Sequence, residues 1–598
     1  MKSPHYTVSS TNPAAHIFEV VLRIPSPAAQ EELWLPTWIP GSYLIREFSR
    51  NIIDLSAQDE DGALPVHKTS KNIWRIQSRK KDISVHYRVY AWDLSVRMAH
   101  LDQTHGYFNG TSMFLAVKGR EELPQSVTLL APEGTENWRV ATTLPHKENN
   151  LYDFGLYEAI NYDALIDHPV ELGTFDTMSF EAAGVRHEVA ITGKHHTSTR
   201  RLCEDLEKIC AYFINFFDGK APMDRYLFQV MVVGSGYGGL EHRASTSLIC
   251  SRRDLPSKED QPRKGGYLKF LGLCSHEYFH TWNVKRIKPE AYLPYDLTKE
   301  AYSTQLWAFE GITSYYDDLA LIRTQLIDPP TYLKLLAQTI TRVRSTPGRH
   351  IQSVAESSFD TWIKFYRQDE NAPNSLISYY AKGSLVALCL DLHLRLHSDI
   401  SLDDVMQTLW QSHGSIRVGV PEDGIQRIAE RLSGLDLQDF FDQAVFGTSD
   451  LPLEDLLSKF GVSLLFREAN AHVDMGGSPP PNIPPKSWLG AKFSSKDGGV
   501  KLQNVYHDGP AMKAGLSAND VVIAINGLKT SHANIRQDIA LHAIGSTVTI
   551  HAFRRDELME FSVVLEESPK DRAFLSIDKD APEQVQVRLQ KWLHLDSE

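Results

Sequence analysis

Along this chain the spacing of hydrophobic residues changes twice. Up to about residue 170, apolar and polar positions alternate in short runs, HIFEVVLRI (16–24), EELWLPTW (31–38) and ISVHYRVYAW (83–92), separated by Pro, Gly, Asn and Asp. A period of two between such breakers predicts strands, and so a β-rich domain over 1–170. From about residue 197 the spacing becomes three and four: TSTRRLCEDLEKICAYFINFF opens with Ser and Thr and then reads as an amphipathic helix. One strand is predicted in RYLFQVMVVGSG (225–236). Helices then dominate to about 460, among them YLKFLGLCSHEYFHTWNVKRI, TQLWAFEGITSYYDDLALIRTQ and SLISYYAKGSLVALCLDLHLRL. A mainly helical domain over 171–474 follows from this.

The segment MGGSPPPNIPPKS (475–487) has five prolines in thirteen residues. Proline excludes helix here and favours an extended, semi-rigid linker. Beyond it, WLGAKF, VKLQNVYHDGPAMKAGL, DVVIAINGL and STVTIHAFRR predict a compact β-rich unit over 488–570. In the tail, 571–598, APEQVQVRLQKWLHL suits a short amphipathic helix packed back on a domain.

Composition narrows the classes. At 598 residues, three or more folding units are expected. A hydrophobic share of 42% with 23% charged residues is that of a soluble globular protein. The net charge of -13 repels phosphate backbones and anionic lipid, so neither nucleic acid nor membrane is expected as a partner. No run approaches the ~20 apolar residues of a membrane span, and MKSPHYTVSSTN lacks the apolar core of a leader. A cytoplasmic enzyme is the simplest expectation. Five cysteines without C-x-x-C spacing indicate neither a disulfide framework nor a thiolate metal site.

Chemistry concentrates in CSHEYFHTWN (274–283). On a helix, positions four apart differ by about 40° in azimuth, so His276 and His280 project side by side and can share one tetrahedral zinc. Glu277, one step round, is placed to take a proton from a water that such an ion would acidify. The same letters also fit a core helix, so a third ligand decides. Glu310 in LWAFEGITSYYDD is the candidate, since a carboxylate amid Leu306, Trp307, Phe309 and Ile312 needs a partner.

HEYFHTWN followed by WAFEG, with 29 residues between His280 and Glu310, resembles the gluzincin (thermolysin-like) metallopeptidases. Their zinc is held by the two motif histidines and a glutamate on a following helix. The domain order and WIPGSYLIREFSRNI (38–52) are similar to the glycyl aminopeptidase family that carries a C-terminal PDZ domain, over nearly the whole chain. A more distant likeness is to aminopeptidase N and leukotriene-A4 hydrolase, from which Phe309 and the longer ligand spacing depart. GYGGLEH (236–242) resembles the exopeptidase motif of the aminopeptidases, which implies that Glu241 binds the substrate's α-amino group. His242 stands where the motif has asparagine. Gly238 and Gly239 permit close backbone approach there. In SYYAKG (378–383) the likeness implies that Tyr380 donates a hydrogen bond to the oxyanion, with Tyr379 the alternative if the register slips by one. Asp317, two turns beyond Glu310, is a candidate to orient a ligand imidazole.

From Trp488 the run DGPAMKAGLSANDVVIAINGL resembles a PDZ domain, which implies a chain-terminus ligand whose carboxylate meets backbone amides around Leu489 and Gly490. Equally open are occupation of that groove by the protein's own chain and simple docking on the catalytic domain. His195–His196 and the Asn109-Gly110-Thr111 triplet read as turns. The resulting expectation is a zinc aminopeptidase with one Zn2+ per chain, acting on peptides with a free N-terminus and preferring small residues such as glycine or alanine. A zinc endopeptidase fed by the PDZ domain, and a non-catalytic PDZ adaptor, are the alternatives.

Overall fold

Strict alternation sets the first sheets. Ile17–Ile24 buries Phe18, Val20, Leu22 and Ile24 and turns Glu19 and Arg23 to the more exposed face. It lies in a seven-stranded sheet ordered Gly155–Ala159, Gln125–Leu129, His5–Ser9, Ile17–Ile24, Ile83–Tyr90, Ile52–Asp59, Gly62–Leu64. Two four-stranded sheets accompany it. These are coordinates of a computed structural model that describes residues 2–471, 473–480, 484–496 and 498–595. Part of the expected linker (481–483) and the last three residues of the tail lie outside the described residues. The chain divides into two units, Met1–Ala301 with Gln407–Pro421 and Tyr302–Met406 with Glu422–Glu598. No helix among the described residues is long and apolar enough to cross a membrane.

The first unit also holds a five-stranded sheet where the pattern predicts only one strand. Its order is Asp176–Ala182, Val185–Thr192, Arg225–Val233, Ser245–Ser251, Tyr237–Glu241. The three inner strands run parallel, and Tyr237–Glu241 is an antiparallel edge. Buried polar residues hide the strand Val185–Thr192 from its sequence. His187 meets the Tyr278 hydroxyl at 2.8 Å, and Glu188 pairs with Arg225, so both are tolerated inside. The helix Thr199–Phe216 packs Leu202, Leu206, Ile209 and Phe213 inward, as its spacing predicts. The helix Gly265–Phe279 ends at His280 instead of continuing through WNVKRI. The chain turns there, with Val284 at φ +86° and Trp282 fully buried against Phe217.

In the second unit a π-helical turn, Trp307–Ile312, leads into the helix Thr313–Arg323. The stretch 375–396, read as one helix, is helical only from Ala381. Ser378 explains the late start: its hydroxyl accepts the Ala381 N–H at 3.2 Å and its carbonyl the Lys382 N–H at 2.8 Å. Four cysteines are buried, Cys203 is half-buried, and all five are free thiols. In the first unit the Asn109 side chain caps the turn Gly110–Ser112 and is fully buried.

The C-terminal sheet runs Ala491–Lys496, Gly499–Val505, Val521–Ile525, Thr547–Arg554, Glu557–Val564 around a core of Phe493, Leu502, Val522, Ile550 and Val563. It is set between two strands that pair with each other, Val462–Arg467 and Arg572–Ile577. Asn374 holds its Val505 carbonyl and His507 N–H at 2.8 and 2.9 Å, and Asn504 donates to the Glu370 carbonyl at 2.9 Å. The tail forms the helix Glu583–Leu593. Trp592 is fully buried, its indole N–H donates to the Tyr315 hydroxyl at 2.9 Å, and Arg323 caps its carbonyl at 3.0 Å. Trp592→Ala is expected to lower stability by about 3–5 kcal/mol. Urea unfolding of the full chain, followed by far-UV circular dichroism, reads this as a lower midpoint, with Trp592→Phe losing less.

Candidate active site

His276 occupies the last turn of the helix Gly265–Phe279 and His280 caps its end. Their Nε2 atoms lie 3.1 Å apart with the ring planes at 85°. Two nitrogens each bound at ~2.0–2.1 Å to one tetrahedral ion sit roughly 3.3 Å apart, so this pair already has the bite of a chelate. Nδ1 of His280 lies 2.9 Å from the Asn283 carbonyl. That contact fixes the proton on Nδ1 and leaves Nε2 as the donor to a metal. The carbonyl is available because the chain turns after Phe279.

Glu277 lies against the edge strand Tyr237–Glu241. A Cβ built on Gly239 would stand 2.1 Å from Glu277 Oε1, so only glycine lets strand and carboxylate meet. Gly238 has ordinary room, with Ile249 at 3.6 Å. At the end of the strand, Glu241 is 3% exposed, and its Oε1 has no hydrogen-bond partner among the described residues. Its carboxylate rests on Gly41, where a Cβ would come within 2.5 Å. Arg97 ties the same place together, with Nε donating to the Ser42 hydroxyl at 3.1 Å and Nη2 to the Gly239 carbonyl at 3.5 Å. The sequence reading missed Gly41, Ser42 and Arg97 as site residues. The run WIPGSY marked a likeness without any chemistry attached.

Behind Glu241, His242 is buried with Nδ1 3.4 Å from Asp167. Burial would raise the Asp167 carboxyl, but Lys285 at 2.6 Å and Arg243 outweigh it and hold it well below the usual range. Asp167 also accepts the Arg243 N–H at 3.0 Å. The residue at the motif's asparagine position therefore belongs to an ion network that anchors the chain just after Glu241.

In the second unit Glu310 is 2% exposed on its π-helical turn. Such turns concentrate at functional sites. Gly311 packs on Gly383, where a Cβ would be 2.6 Å from backbone, and this brings the turn beside the start of the helix Ala381–His397. The two tyrosines before that helix differ. Tyr379 is fully buried with its hydroxyl 3.0 Å from Thr361, whereas Tyr380 is partly exposed with its hydroxyl 3.2 Å from that of Tyr366. Burial, and then the charge of Glu310, push the Tyr380 hydroxyl well above the usual phenol range, so it stays a donor. Asp317 lies on the helix Thr313–Arg323, its Oδ1 accepting the Asp318 N–H at 2.6 Å. In the C-terminal sheet, Leu489 and Gly490 form the turn into the edge strand Ala491–Lys496, with Gly490 at φ +79°.

Three family models match: the Peptidase M61 N-terminal domain over 5–174, M61 glycyl aminopeptidase over 269–386 and a PDZ domain over 487–565. Among solved structures, an aminopeptidase N family protein from Idiomarina loihiensis is 44% identical over 99% of this chain and 100% of its own, with a TM-score of 0.93. An M1 zinc metallopeptidase from Deinococcus radiodurans shares 12% identity over 75% of this chain and 94% of its own, with a TM-score of 0.48. Comparison with curated proteins finds no match. With the β-rich N-terminal region, the helical centre, the imidazole pair and a chain-long relative all in agreement, the chain belongs to the M61 glycyl aminopeptidase family and is a metalloaminopeptidase.

Proposed function

We propose that this chain is a zinc aminopeptidase that releases N-terminal residues, small ones such as glycine or alanine, from peptides. The observation that carries the reading is the 3.1 Å approach of the His276 and His280 Nε2 atoms with the buried Glu277 between them in sequence. Two imidazoles in that geometry suit zinc, and Glu310 would complete the ligand set of one ion per chain, with Asp317 orienting a ligand imidazole. A carboxylate as buried as Glu310 calls for a cation, which supports this role. Bound there, zinc supplies Lewis acidity, lowering a water's pKa toward ~7 and polarising the scissile carbonyl.

The protein's own groups do the rest. Glu241 accepts hydrogen bonds from the substrate ammonium, and its buried Oε1, without a hydrogen-bond partner among the described residues, supports that task. Held at a fixed place by Gly41 and the Asp167 network, it selects peptides whose amine lies one residue from the scissile bond. Glu277 takes the proton of the attacking water and later delivers it to the leaving amine. Tyr380 donates to the developing oxyanion. Its partly exposed ring favours it over Tyr379, whose hydroxyl is engaged by Thr361. The products are a free amino acid and a shortened peptide. The domain limits read from the sequence, 1–170, 171–474 and 488–570, are proposed to delimit the N-terminal, catalytic and PDZ parts. The PDZ groove takes a chain terminus.

Three measurements test this. Acetylating glycyl or alanyl substrates is expected to abolish turnover, and Glu241→Gln to raise KM for the free amines far more than it changes folding. Equal rates on free and blocked substrates are the result that sinks the exopeptidase reading. Tyr380→Phe is expected to lower kcat by about 2.7–4 kcal/mol of barrier, roughly 10²–10³-fold, with Tyr379→Phe doing much less. Chelation is expected to abolish activity, and Glu310→Gln to weaken zinc retention by about tenfold or more in competition dialysis. Unchanged zinc stoichiometry and affinity in that variant would remove Glu310 from the ligand set.

A further inference from the structure

The C-terminal sheet leaves its strand Ala491–Lys496 at an open edge. Beside it runs the helix Ile535–Ala540, and between them lies a groove of about 290 Å³. Leu489 stands at one end, and Phe493 and Ile539 supply apolar wall. The only charged side chains among the described residues lining it are Lys486 and Arg536, in a chain whose net charge is -13. The guanidinium of Arg536 lies over the Phe493 ring at 5.3 Å, and its Nε is buried without a hydrogen-bond partner among the described residues. Burial lowers its pKa, Tyr506 opposes that, and Arg572 adds to it. An anion brought into the groove relieves both costs.

Strand geometry says where that anion must be. A peptide added antiparallel to Ala491–Lys496, with its terminal carboxylate at the Leu489–Gly490 turn, sets its last residue beside Ala491 and steps back one residue per position. Its third residue from the end then stands beside Phe493, under Arg536. We infer that the groove takes the free C-terminus of another polypeptide carrying an acidic side chain at the third position from its end, with Arg536 as the residue that reads it. This rests on the reading of the groove as a chain-terminus site and adds the chemical class of its ligand. Lys486, before the turn, adds positive potential at the carboxylate end.

The test uses the full chain and decapeptides labelled with fluorescein on the N-terminus, which blocks them as substrates. They end in Glu-Ser-Leu, Gln-Ser-Leu or Lys-Ser-Leu with a free carboxylate, or in Glu-Ser-Leu amide. By fluorescence anisotropy the Glu peptide is expected to bind at least about tenfold tighter than the Lys peptide. In Arg536→Gln that preference is expected to vanish while the Gln peptide binds as it does to the parent. Equal binding of Glu and Lys peptides, with the amide still failing to bind, overturns the acidic selection and leaves the groove reading intact. Equal binding of amide and free acid, or no binding by any peptide, overturns both.

Discussion

A carboxylate taken out of water has to be given a cation or a set of donors, and this molecule buries three of them at the positions proposed for its chemistry. Glu241, Glu277 and Glu310 are each 5% exposed or less. Each sits where the backbone has been shaped to admit it: Gly41 beneath Glu241, Gly239 against Glu277, and a π-helical turn that offers Glu310 beside the Gly311–Gly383 contact. A buried carboxylate is costly until a cation or donor faces it, and ammonium, a proton in transit and a metal are the partners proposed for these three. The Asp167 network shows the opposite solution nearby, a buried carboxylate compensated permanently by Lys285 and Arg243. That one anchors the chain just after Glu241.

Much of this was legible from spacing. H-E-x-x-H fixes side-by-side imidazoles because a helix turns 3.6 residues at a time, and His276 and His280 stand as that geometry requires. The alternating runs of the N-terminal region and the PDZ-like strands were equally readable. The five-stranded sheet was not, because Val185–Thr192 carries His187 and Glu188 inward to partners far away in sequence. Local pattern cannot foresee a buried ion pair. The loop before Ala381 was missed for a related reason: apolar residues continue through it at helical spacing, and a single serine cap overrides them. Gly41 and Arg97 escaped because their meaning lies in what they touch, more than a hundred residues away.

The distinction between Tyr379 and Tyr380 has the same origin. Sequence offers two adjacent phenols, and only the placement of Thr361 and Tyr366 engages one and leaves the other partly open. The segment that carries these tyrosines begins at the turn holding Glu370 and Asn374, the residues on which the C-terminal sheet docks. Docking and an open edge therefore coexist in one module: Asn504, Val505 and His507 meet Glu370 and Asn374 while the edge strand Ala491–Lys496 pairs on one side only.

The pairing of Val462–Arg467 with Arg572–Ile577 closes a loop whose contents are the whole C-terminal sheet. The module is consequently clasped at its base like a pendant on a closed ring, with both entry and exit secured to the same ladder. Cutting the proline-rich strap once would not set it adrift. The ladder at its base and the Asn374 contacts on its side hold the module at two separate places, so its open edge travels with the body that carries it.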